Sequence, residues 1–336
     1  MDFYVPSYYE QFHCKADLCT DNCCIGWEIQ IDPQSAARYR ASDAVIGDKL
    51  RSSISEDDCF VLVNERCPML DDKNLCEIIR HCGEEHLCQI CRDHPRYFAW
   101  FGDRKEGGLG IACEEAARLV LTTDHVQTIC KHCEDEPSES EDAVFFEQML
   151  AERDKLFAIL DDGDLSFARK LQELLTSALT LQTELDGEVP FGEIGVTADS
   201  QVDFFQYVEL YAAFEPFDEN WSQHLRTLQA SSATLHSLTK EQEQFLVNLC
   251  RYFLWRYFLQ GAVDGEVLPQ VKFAVVSTLF IRTLCGNDSS LCAFVDNSKM
   301  YSKTMEYSDV NRDRFFDLSY DEPCLRVQTL LQMLRT

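Results

Sequence analysis

Apolar residues occur in short runs in the part of the chain before residues 131–143. In WEIQID, residues 27–32, the apolar Trp27, Ile29 and Ile31 alternate with polar residues, which predicts a half-buried strand. CFVLVN, residues 59–64, predicts a second strand. RYFAWF and GGLGIAC, joined by the polar GDRKE, predict a β-hairpin.

Two helices are also predicted in this first part. Asp32 and Pro33 suit the N-cap and the first position of a helix through QSAARYR. CEEAARLVL, residues 113–121, predicts a second helix, whose acidic residues lie in the first turn, where the helix dipole favours them.

After residues 131–143 the apolar positions recur at helical spacing. Residues 143–161 repeat them every three to four positions, and a second run, residues 166–185, places five on one face. These five are Phe167, Leu171, Leu174, Leu175 and Ala178. Thr239 and Gln242 form a capping-box pattern before another apolar stripe, and Gly261 is expected to cap its C-terminal end.

The change of pattern predicts an α+β protein with two domains. A small cysteine-rich, metal-binding domain with short strands is expected over residues 1–133, and a mostly α-helical domain over residues 143–336. The segment between them, residues 134–142, is acidic, contains Pro137 and has no apolar periodicity, which is typical of a linker. A chain of 336 residues that is 46% apolar is long enough for two cores.

Charge and hydropathy limit the partners and the compartment. The net charge of -28 repels phosphate backbones, so nucleic acid is not an expected partner. The N-terminus lacks a basic segment followed by an apolar one, so no signal peptide is expected, and we predict a cytoplasmic protein. The longest apolar runs contain arginines and are shorter than a bilayer span, which predicts no transmembrane segment and leaves a peripheral membrane contact open.

Cysteine is the residue type that most changes this interpretation. Of the 17 cysteines, all but Cys250, Cys285, Cys292 and Cys324 precede Glu134. A disulfide framework is the competing explanation, but the chain has an odd number of cysteines and no export signal. Metal ligation is therefore favoured. Thiolates are soft ligands that suit zinc or iron–sulfur clusters rather than magnesium or calcium.

The spacing of the cysteines bears on which metal is bound. The C-x2-C pairs at residues 88–91 and 130–133 have a spacing found in zinc sites, but they are far apart in the sequence. The adjacent Cys23 and Cys24 fit one zinc ion awkwardly, whereas a multi-iron cluster offers several attachment points. Gly26 stands where a radical-type SAM enzyme would have the third cysteine of its C-x3-C-x2-C motif, so that class is rejected.

Other residue types lie among the cysteines and are expected to assist a metal site. They are His81, His86, His94, Trp27, Trp100, Arg96 and Arg118. The histidines are alternative ligands, and the tryptophans are expected to shield the site from solvent. The arginines either offset the negative charge of a thiolate-bound cluster or form surface ion pairs.

Four segments, taken in order, resemble the flagellin lysine-N-methylase family: FHCKADLCTDNCCIGWEIQID, CPMLDDKNLCEI, LCQICRDHPRYF and CEEAARLVL. They are more distantly similar to small cysteine-cluster domains that chelate zinc or iron. Two later segments, FLVNLCRYFLWRYF and YSKTMEYSDVN, are similar to the helical and C-terminal parts of the family. The resemblance covers most of the chain, and its distinctive motifs lie in the cysteine-rich part.

The resemblance implies methyl transfer from S-adenosylmethionine to lysine side chains of flagellin, in the cytosol, with an oxygen-sensitive [4Fe–4S] cluster on the thiols. The matching thiols are Cys14, Cys19, Cys23, Cys24, Cys67, Cys76, Cys91 and Cys113. Cys88 departs from the family pattern and is ranked below them. Whether the eight thiols form one site or two is open.

Catalytic residues are expected where carboxylates and tyrosines can take the proton of a lysine, whose ordinary pKa is about 10.4. Tyr301, Glu306 and Tyr307 are spaced to fall on or near one helix face, although exposed helices show the same pattern. EGGLGIAC leads into a predicted strand rather than a helix, so it does not predict a nucleotide-binding loop, and the S-adenosylmethionine ligands stay unassigned.

A second interpretation belongs to another functional class. The cysteines could form a non-catalytic module that chelates zinc or iron and orders a protein-binding domain. Fold-level similarity does not separate the two interpretations. The oligomeric state is not predicted.

Overall fold

The computed structural model of the protein describes residues 1–20, 22–138, 143–193, 205–230, 238–288 and 290–335. Strands occur in the first part of these residues and helices predominate after it, as the α+β prediction expects. The metal-binding character of the first part stays a prediction.

A four-stranded sheet forms the first layer of the fold. Its strands are β1 (Asp2–Pro6), β2 (Arg96–Phe101), β3 (Arg104–Leu109) and β4 (Thr128–His132). The spatial order is β2-β3-β1-β4, with β1 parallel to β3 and antiparallel to β4. The predicted hairpin is confirmed as β2 and β3, but its turn is only Gly102 and Asp103, because β3 begins within the polar GDRKE segment.

Helices surround the sheet and form most of the remaining structure. In the first part they are α1 (Pro33–Arg40), α2 (Gly47–Ser52), α3 (Glu77–Cys82), α4 (Gln89–Asp93) and α5 (Glu114–Thr122). The following ones are α6 (Ala143–Asp161), α7 (Phe167–Asp186), α8 (Phe205–Ala212), α9 (Glu219–Ala230), α10 (Lys240–Tyr257), α11 (Gly261–Asp264), α12 (Val267–Leu284), α13 (Leu291–Met305), α14 (Asp309–Asp321) and α15 (Val327–Met333).

The predicted helix starts are confirmed by their caps. The Asp32 carboxylate accepts a hydrogen bond from the Ser35 amide at 2.9 Å. At the start of α10, Thr239 and Gln242 each bond the other's backbone amide, which completes the capping box. The prediction for Gly261 is wrong: it begins α11 in a right-handed conformation, and Gly265, with φ of 79°, is the left-handed residue that ends it.

Two predicted strands are absent from the described structure. Residues 27–32 and 59–64 contain only isolated bridges, among them Gln30 to Cys59 and Ile54 to Phe60. Their alternating side chains are nevertheless buried on one side, since Ile29 and Ile31 lie in a small core. The alternating apolar pattern thus predicted burial correctly. No neighbouring segment, however, forms the continuous row of backbone hydrogen bonds that a strand needs.

Two hydrophobic cores stabilise the molecule. The larger joins Val5 of β1 and Leu119 of α5 to residues of the later helices, such as Leu174 and Phe253. The smaller is built from residues 29–88, including Cys67 and Cys88. The larger core therefore receives side chains from both sides of the predicted linker. The domain division at residues 134–142 stays a prediction, and residues 139–142 lie outside the described structure.

Helix α12 lies at the centre of the helical part. It is the one described helix whose length and apolar composition would suffice to cross a membrane, and 94% of that stretch is buried inside the protein. Its neighbours include α7, α10 and α14. The apolar sequence of α12 is thus accounted for by packing within the helical part.

Candidate functional site

Most of the predicted ligand thiols come together beside the segment from Cys19 to Cys24. We call Cys24, Cys67, Cys76, Cys88 and Cys91 the inner thiol group, because they line the smaller core and affect one another's pKa values. Cys82 also packs against this core. We call Cys19, Cys23 and Cys113 the outer thiol group. Cys14 is exposed, and its sulfur lies 3.4 Å from the Ala16 amide of its own loop.

The inner thiol group includes a cysteine that the family pattern did not favour. Cys88 is fully buried and caps the N-terminal end of α4, one helical turn before Cys91. The hydrogen bond between the two sulfurs lowers the pKa of Cys88 and, with burial, raises the pKa of Cys91. Burial also raises the pKa of Cys67 to about 11, with smaller contributions from Cys76 and Cys88.

The outer thiol group contains a thiol with a lowered pKa. Hydrogen bonds from Cys24 and His94 lower the pKa of Cys23, against the effect of burial. Of the three histidines that were predicted to assist, the structure therefore brings His94 to a thiol. Cys113 caps the N-terminal end of α5, and burial raises its pKa to about 12.

Glu114, which follows Cys113, was not singled out by sequence. Its carboxylate lies 2.5 Å from the Lys15 ammonium and accepts a hydrogen bond from the Thr20 amide at 2.8 Å. Burial opposes its ionisation, but the hydrogen bonds from Lys15 and Thr20 prevail and lower the pKa of Glu114 to about 2. The carboxylate is therefore charged at neutral pH.

The donor chemistry of the two thiol groups suits a soft metal or an iron–sulfur cluster. Their geometry is less decisive, because within the described ranges no three His, Cys, Asp or Glu side chains converge closely enough to hold one ion. Instead, the free thiols form hydrogen-bonded pairs, Cys23 with Cys24 and Cys88 with Cys91. The metal ligands thus stay predictions.

The two predicted tryptophans lie in different places. The Trp27 ring packs between Phe217 and Tyr307, with ring centroids 5.0 and 4.9 Å away. Trp100 lies on β2 with 46% of its surface exposed, and its ring contacts Phe98 and the Lys105 ammonium. The prediction that Trp100 shields the thiols is therefore wrong.

The two predicted arginines have other partners. The Arg96 guanidinium lies over the rings of Tyr9 and Phe12, 5.5 and 5.2 Å from their centroids. Arg118 forms a two-point ion pair with Glu115 on its own helix. A positive charge near the outer thiols comes instead from Lys15, whose pKa is raised mainly by Glu114 and to a small extent by Cys19.

Glu306 is the centre of a second polar cluster, which adjoins the outer thiols. Its Oε1 accepts hydrogen bonds from the hydroxyls of Tyr252 at 2.8 Å and Tyr257 at 2.9 Å, and Arg256 lies 3.0 Å away. Its Oε2 is buried and has no hydrogen-bond partner among the described residues. A buried carboxylate oxygen without a protein partner is uncommon, and a water, an ion or a substrate group bound there would explain it.

The tyrosines of this cluster are hydrogen-bond donors rather than bases. Burial raises the pKa values of Tyr252 and Tyr257 well above their ordinary value, and the Glu306 charge adds to the effect. The same causes raise the pKa of Tyr97, whose buried hydroxyl also lacks a partner in the described structure. The group that can accept a proton here is the Glu306 carboxylate.

The three predicted catalytic residues do not share one helix face. Helix α13 ends at Met305, so Glu306 and Tyr307 follow it. Tyr301 is fully buried and bonds the hydroxyls of Tyr211 and Ser277. Tyr307 is 39% exposed, and burial of its hydroxyl end raises its pKa, with smaller contributions from Glu306, Cys113 and Cys23.

Tyr307 connects the Glu306 cluster to the thiols. A Cβ atom at Gly110 would lie 2.7 Å from the Tyr307 hydroxyl oxygen and 3.6 Å from an Arg256 nitrogen, so a larger residue there would force the Tyr307 ring to shift. Gly110 lies three residues before Cys113, and its amide bonds the Pro95 carbonyl, next to His94. The carboxylate, the aromatic rings and the outer thiols thus form one continuous region, which we call the central site.

A cavity of about 220 Å³ lies elsewhere, between α7, α12 and α14. Its buried Lys272 is paired with Glu193 at 2.7 Å and with the Ser319 carbonyl at 2.6 Å. Because Lys272 finds its charge and hydrogen-bond partners within the protein, we assign the cavity wall a structural role.

Comparison with known proteins gives three relatives. The flagellar biosynthetic protein FliU of Salmonella muenchen is 28% identical over 131 residues, which cover 34% of this chain and 75% of FliU. The lysine-N-methylases of Salmonella typhimurium and Salmonella choleraesuis are each 26% identical over 130 residues, which cover 34% of this chain and 31% of theirs. The resemblance to the lysine-N-methylase family is confirmed over 34% of the chain, rather than over most of it, and its iron–sulfur part stays a prediction.

The match spans less than a third of the length of the two lysine-N-methylases, so it does not carry their whole activity over to this protein. No family model and no solved structure matches the chain. The cofactors and the site residues stay predictions.

Proposed function

We propose that this protein is a lysine-N-methyltransferase that transfers methyl groups from S-adenosylmethionine to lysine side chains of flagellin and depends on a cysteine-bound [4Fe–4S] cluster. The names of the relatives support the methyl transfer and the flagellar substrate. The net charge of -28 supports a substrate that presents lysines, since opposite charges speed their encounter. A cytoplasmic location accompanies this proposal.

The unpartnered oxygen of Glu306 is the observation that carries the proposal. A lysine must lose its proton before its nitrogen can attack a methyl group, and a fixed carboxylate within hydrogen-bond reach can accept that proton. Tyr252, Tyr257 and Arg256 hold the other oxygen, so the carboxylate is fixed in one orientation. Glu306 is therefore our catalytic base.

The aromatic residues next to Glu306 suit the rest of a lysine side chain. The rings of Trp27 and Tyr307 can pack against its methylene groups and attract its positive charge. Tyr301 bonds Tyr211 and Ser277 away from the surface, and we infer that it supports α13 rather than touching substrate.

The proposed function requires two cofactors, S-adenosylmethionine and an iron–sulfur cluster. S-adenosylmethionine, when bound, supplies the methyl group on its positively charged sulfur. The thiols that would hold a cluster are those of the inner and outer groups, and Cys88 belongs with Cys91 among them. His94 orients Cys23, and Lys15 supplies positive charge beside Cys19.

A second function remains in competition, namely a non-catalytic zinc- or iron-chelating module that orders a protein-binding domain. The inner thiol group favours it, because its sulfurs pack directly against the smaller core that holds residues 29–88 together. A metal bound there would contribute to folding irrespective of any reaction.

The deciding experiment begins with purification of the full chain without oxygen. Metal content and absorbance are recorded, and the protein is then incubated with S-adenosylmethionine and unmethylated flagellin. Mass spectrometry of flagellin should show methyl groups on lysine. A colourless zinc protein that adds no methyl groups would overturn the proposal and leave the chelating module. Iron without methyl transfer would show that the substrate or the activity is assigned wrongly.

A further inference from the structure

The Glu114 carboxylate of α5 contacts groups from two other elements. Besides Lys15 and the Thr20 amide, it bonds the Thr20 hydroxyl, and the Cys19 sulfur lies 3.6 Å from its Oε2. On the other side, the Lys299 ammonium of α13 lies 3.9 Å away. One side chain thus joins the loop of residues 15–20 to α5 and to α13.

Much of the loop of residues 15–20 is exposed, at Ala16, Leu18 and Thr20. Leu18 is 75% exposed, and Ala16 has a positive φ of 49°, which residues other than glycine rarely adopt. A loop with little apolar burial opens readily unless polar contacts fix it. Hydrogen bonds to a charged group are the stronger kind, and the 8% exposure of Glu114 limits competition from water.

We propose that Glu114 is a positioning residue that fastens the loop of residues 15–20 against α5 and thereby holds Cys19 beside Cys113. Cys113 precedes Glu114 in the chain, so the same turn of backbone carries one thiol and anchors the other. The outer thiol group is assembled in this way from segments that lie far apart in the sequence. That the outer thiols serve as cluster ligands rests on the proposed function. The contact of Glu114 with the loop of residues 15–20 does not.

Glu115 provides a matched control. It is the next residue of α5 and also forms an ion pair, but its partner Arg118 lies on the same helix. A Glu115→Gln variant therefore removes the same charge from the same turn without releasing the loop.

The test measures how fast individual thiols react with iodoacetamide in the full chain, reduced and freed of metal by a chelator, with mass spectrometry to identify each site. The exposed Cys130 of β4 serves as the internal reference. We expect Glu114→Gln to raise the rate at Cys19 about tenfold relative to Cys130, in line with the loss of charged hydrogen bonds. Glu115→Gln should leave the ratio unchanged.

A second variant keeps the test decisive if Glu114→Gln does not fold. Thr20→Val removes one bond to Glu114 from the exposed side of the loop and should raise the Cys19 rate by a smaller factor. An unchanged Cys19 rate in Glu114→Gln and Thr20→Val would overturn the proposal, and if Glu114→Gln fails to fold, Thr20→Val decides. A parent protein that neither binds metal nor methylates flagellin would overturn the proposed function, while the thiol rates would still decide the role of Glu114.

Discussion

Glu106 of β3 and Arg153 of α6 are joined by two parallel hydrogen bonds of 2.6 and 2.7 Å. Both side chains are buried, and they lie on opposite sides of the predicted linker. Arg104 also approaches Glu106, at 2.7 Å. The sheet and the first long helix are thus connected by a charged contact as well as by the larger core.

Removing Arg153 should destabilise the protein strongly. Arg153→Met leaves the buried Glu106 with only part of its compensation, so we expect the free energy of unfolding to fall by about 3 kcal/mol. Urea unfolding under reducing conditions measures the change. The exposed pair Lys155–Glu152 is the control, since Lys155→Gln should cost less than about 1 kcal/mol. Equal losses in the two variants would contradict the assigned role of Arg153.

Glu306→Gln should abolish most methyl transfer, and it should also lower the free energy of unfolding, because the largely buried Arg256 loses its charged partner. The amide oxygen can still accept bonds from Tyr252 and Tyr257, but it cannot take up a proton, so we expect the rate to fall by about a hundredfold or more. The initial rate of methyl incorporation into flagellin measures it. Tyr301→Phe is the comparison variant and should keep most of the rate. A Glu306→Gln enzyme with the parental rate would exclude Glu306 as the base.

Substitutions of the thiols should separate ligands from bystanders. Cys23→Ser combined with Cys24→Ser should remove the bound iron, and we expect Cys88→Ser to lower the iron content as much as Cys91→Ser does. Cys250 is buried in the larger core and should be replaceable without loss of iron. Metal analysis of anaerobically purified protein gives the iron content per chain. A normal iron content in Cys88→Ser would return Cys88 to the lower rank that the family pattern gave it.

Gly26→Ala should loosen the loop that carries Cys23 and Cys24. Gly26 has a φ of 79°, and an added Cβ would lie 3.0 Å from the Phe217 ring, which packs against Trp27. Gly187, with a φ of 74° and nothing within 4 Å, separates the backbone effect from the contact. We expect Gly187→Ala to cost about 1 kcal/mol of unfolding free energy and Gly26→Ala to cost more. Similar losses would argue against close packing of Phe217 on this loop.

Helices α1, α5, α6, α7 and α10 could be predicted because their signals are local, whereas the short helices α2, α3 and α4 were not predicted. Asp32 before Pro33, and Thr239 three residues before Gln242, specify helix starts without reference to the rest of the chain. Strands β1 and β4 could not be predicted in this way. The five residues of β1 pair with segments about a hundred residues later, and β4 ends just before the acidic segment 134–142 that was predicted to be a linker.

The residues of the candidate site also divide into those that sequence could predict and those that it could not. The cysteines stand out by residue type, so most of the thiol groups could be named from sequence. Glu114 could not, because an acidic residue in the first turn of a helix is ordinary and its partners, Lys15 and Thr20, are distant in sequence. Tyr252, Arg256 and Tyr257 did leave a signal, since they place two hydroxyls and a guanidinium in the mostly apolar second half of α10.

The sheet order has a consequence for synthesis of the protein. Strand β1 lies between β3 and β4, so it finds no partner until β3 has left the ribosome, and its second edge stays unpaired until β4 follows. The β2–β3 hairpin, with its two-residue turn, can form by itself and then offer β3 as an edge. Strand β1 is therefore docked late, and until then its apolar side chains are exposed to aggregation.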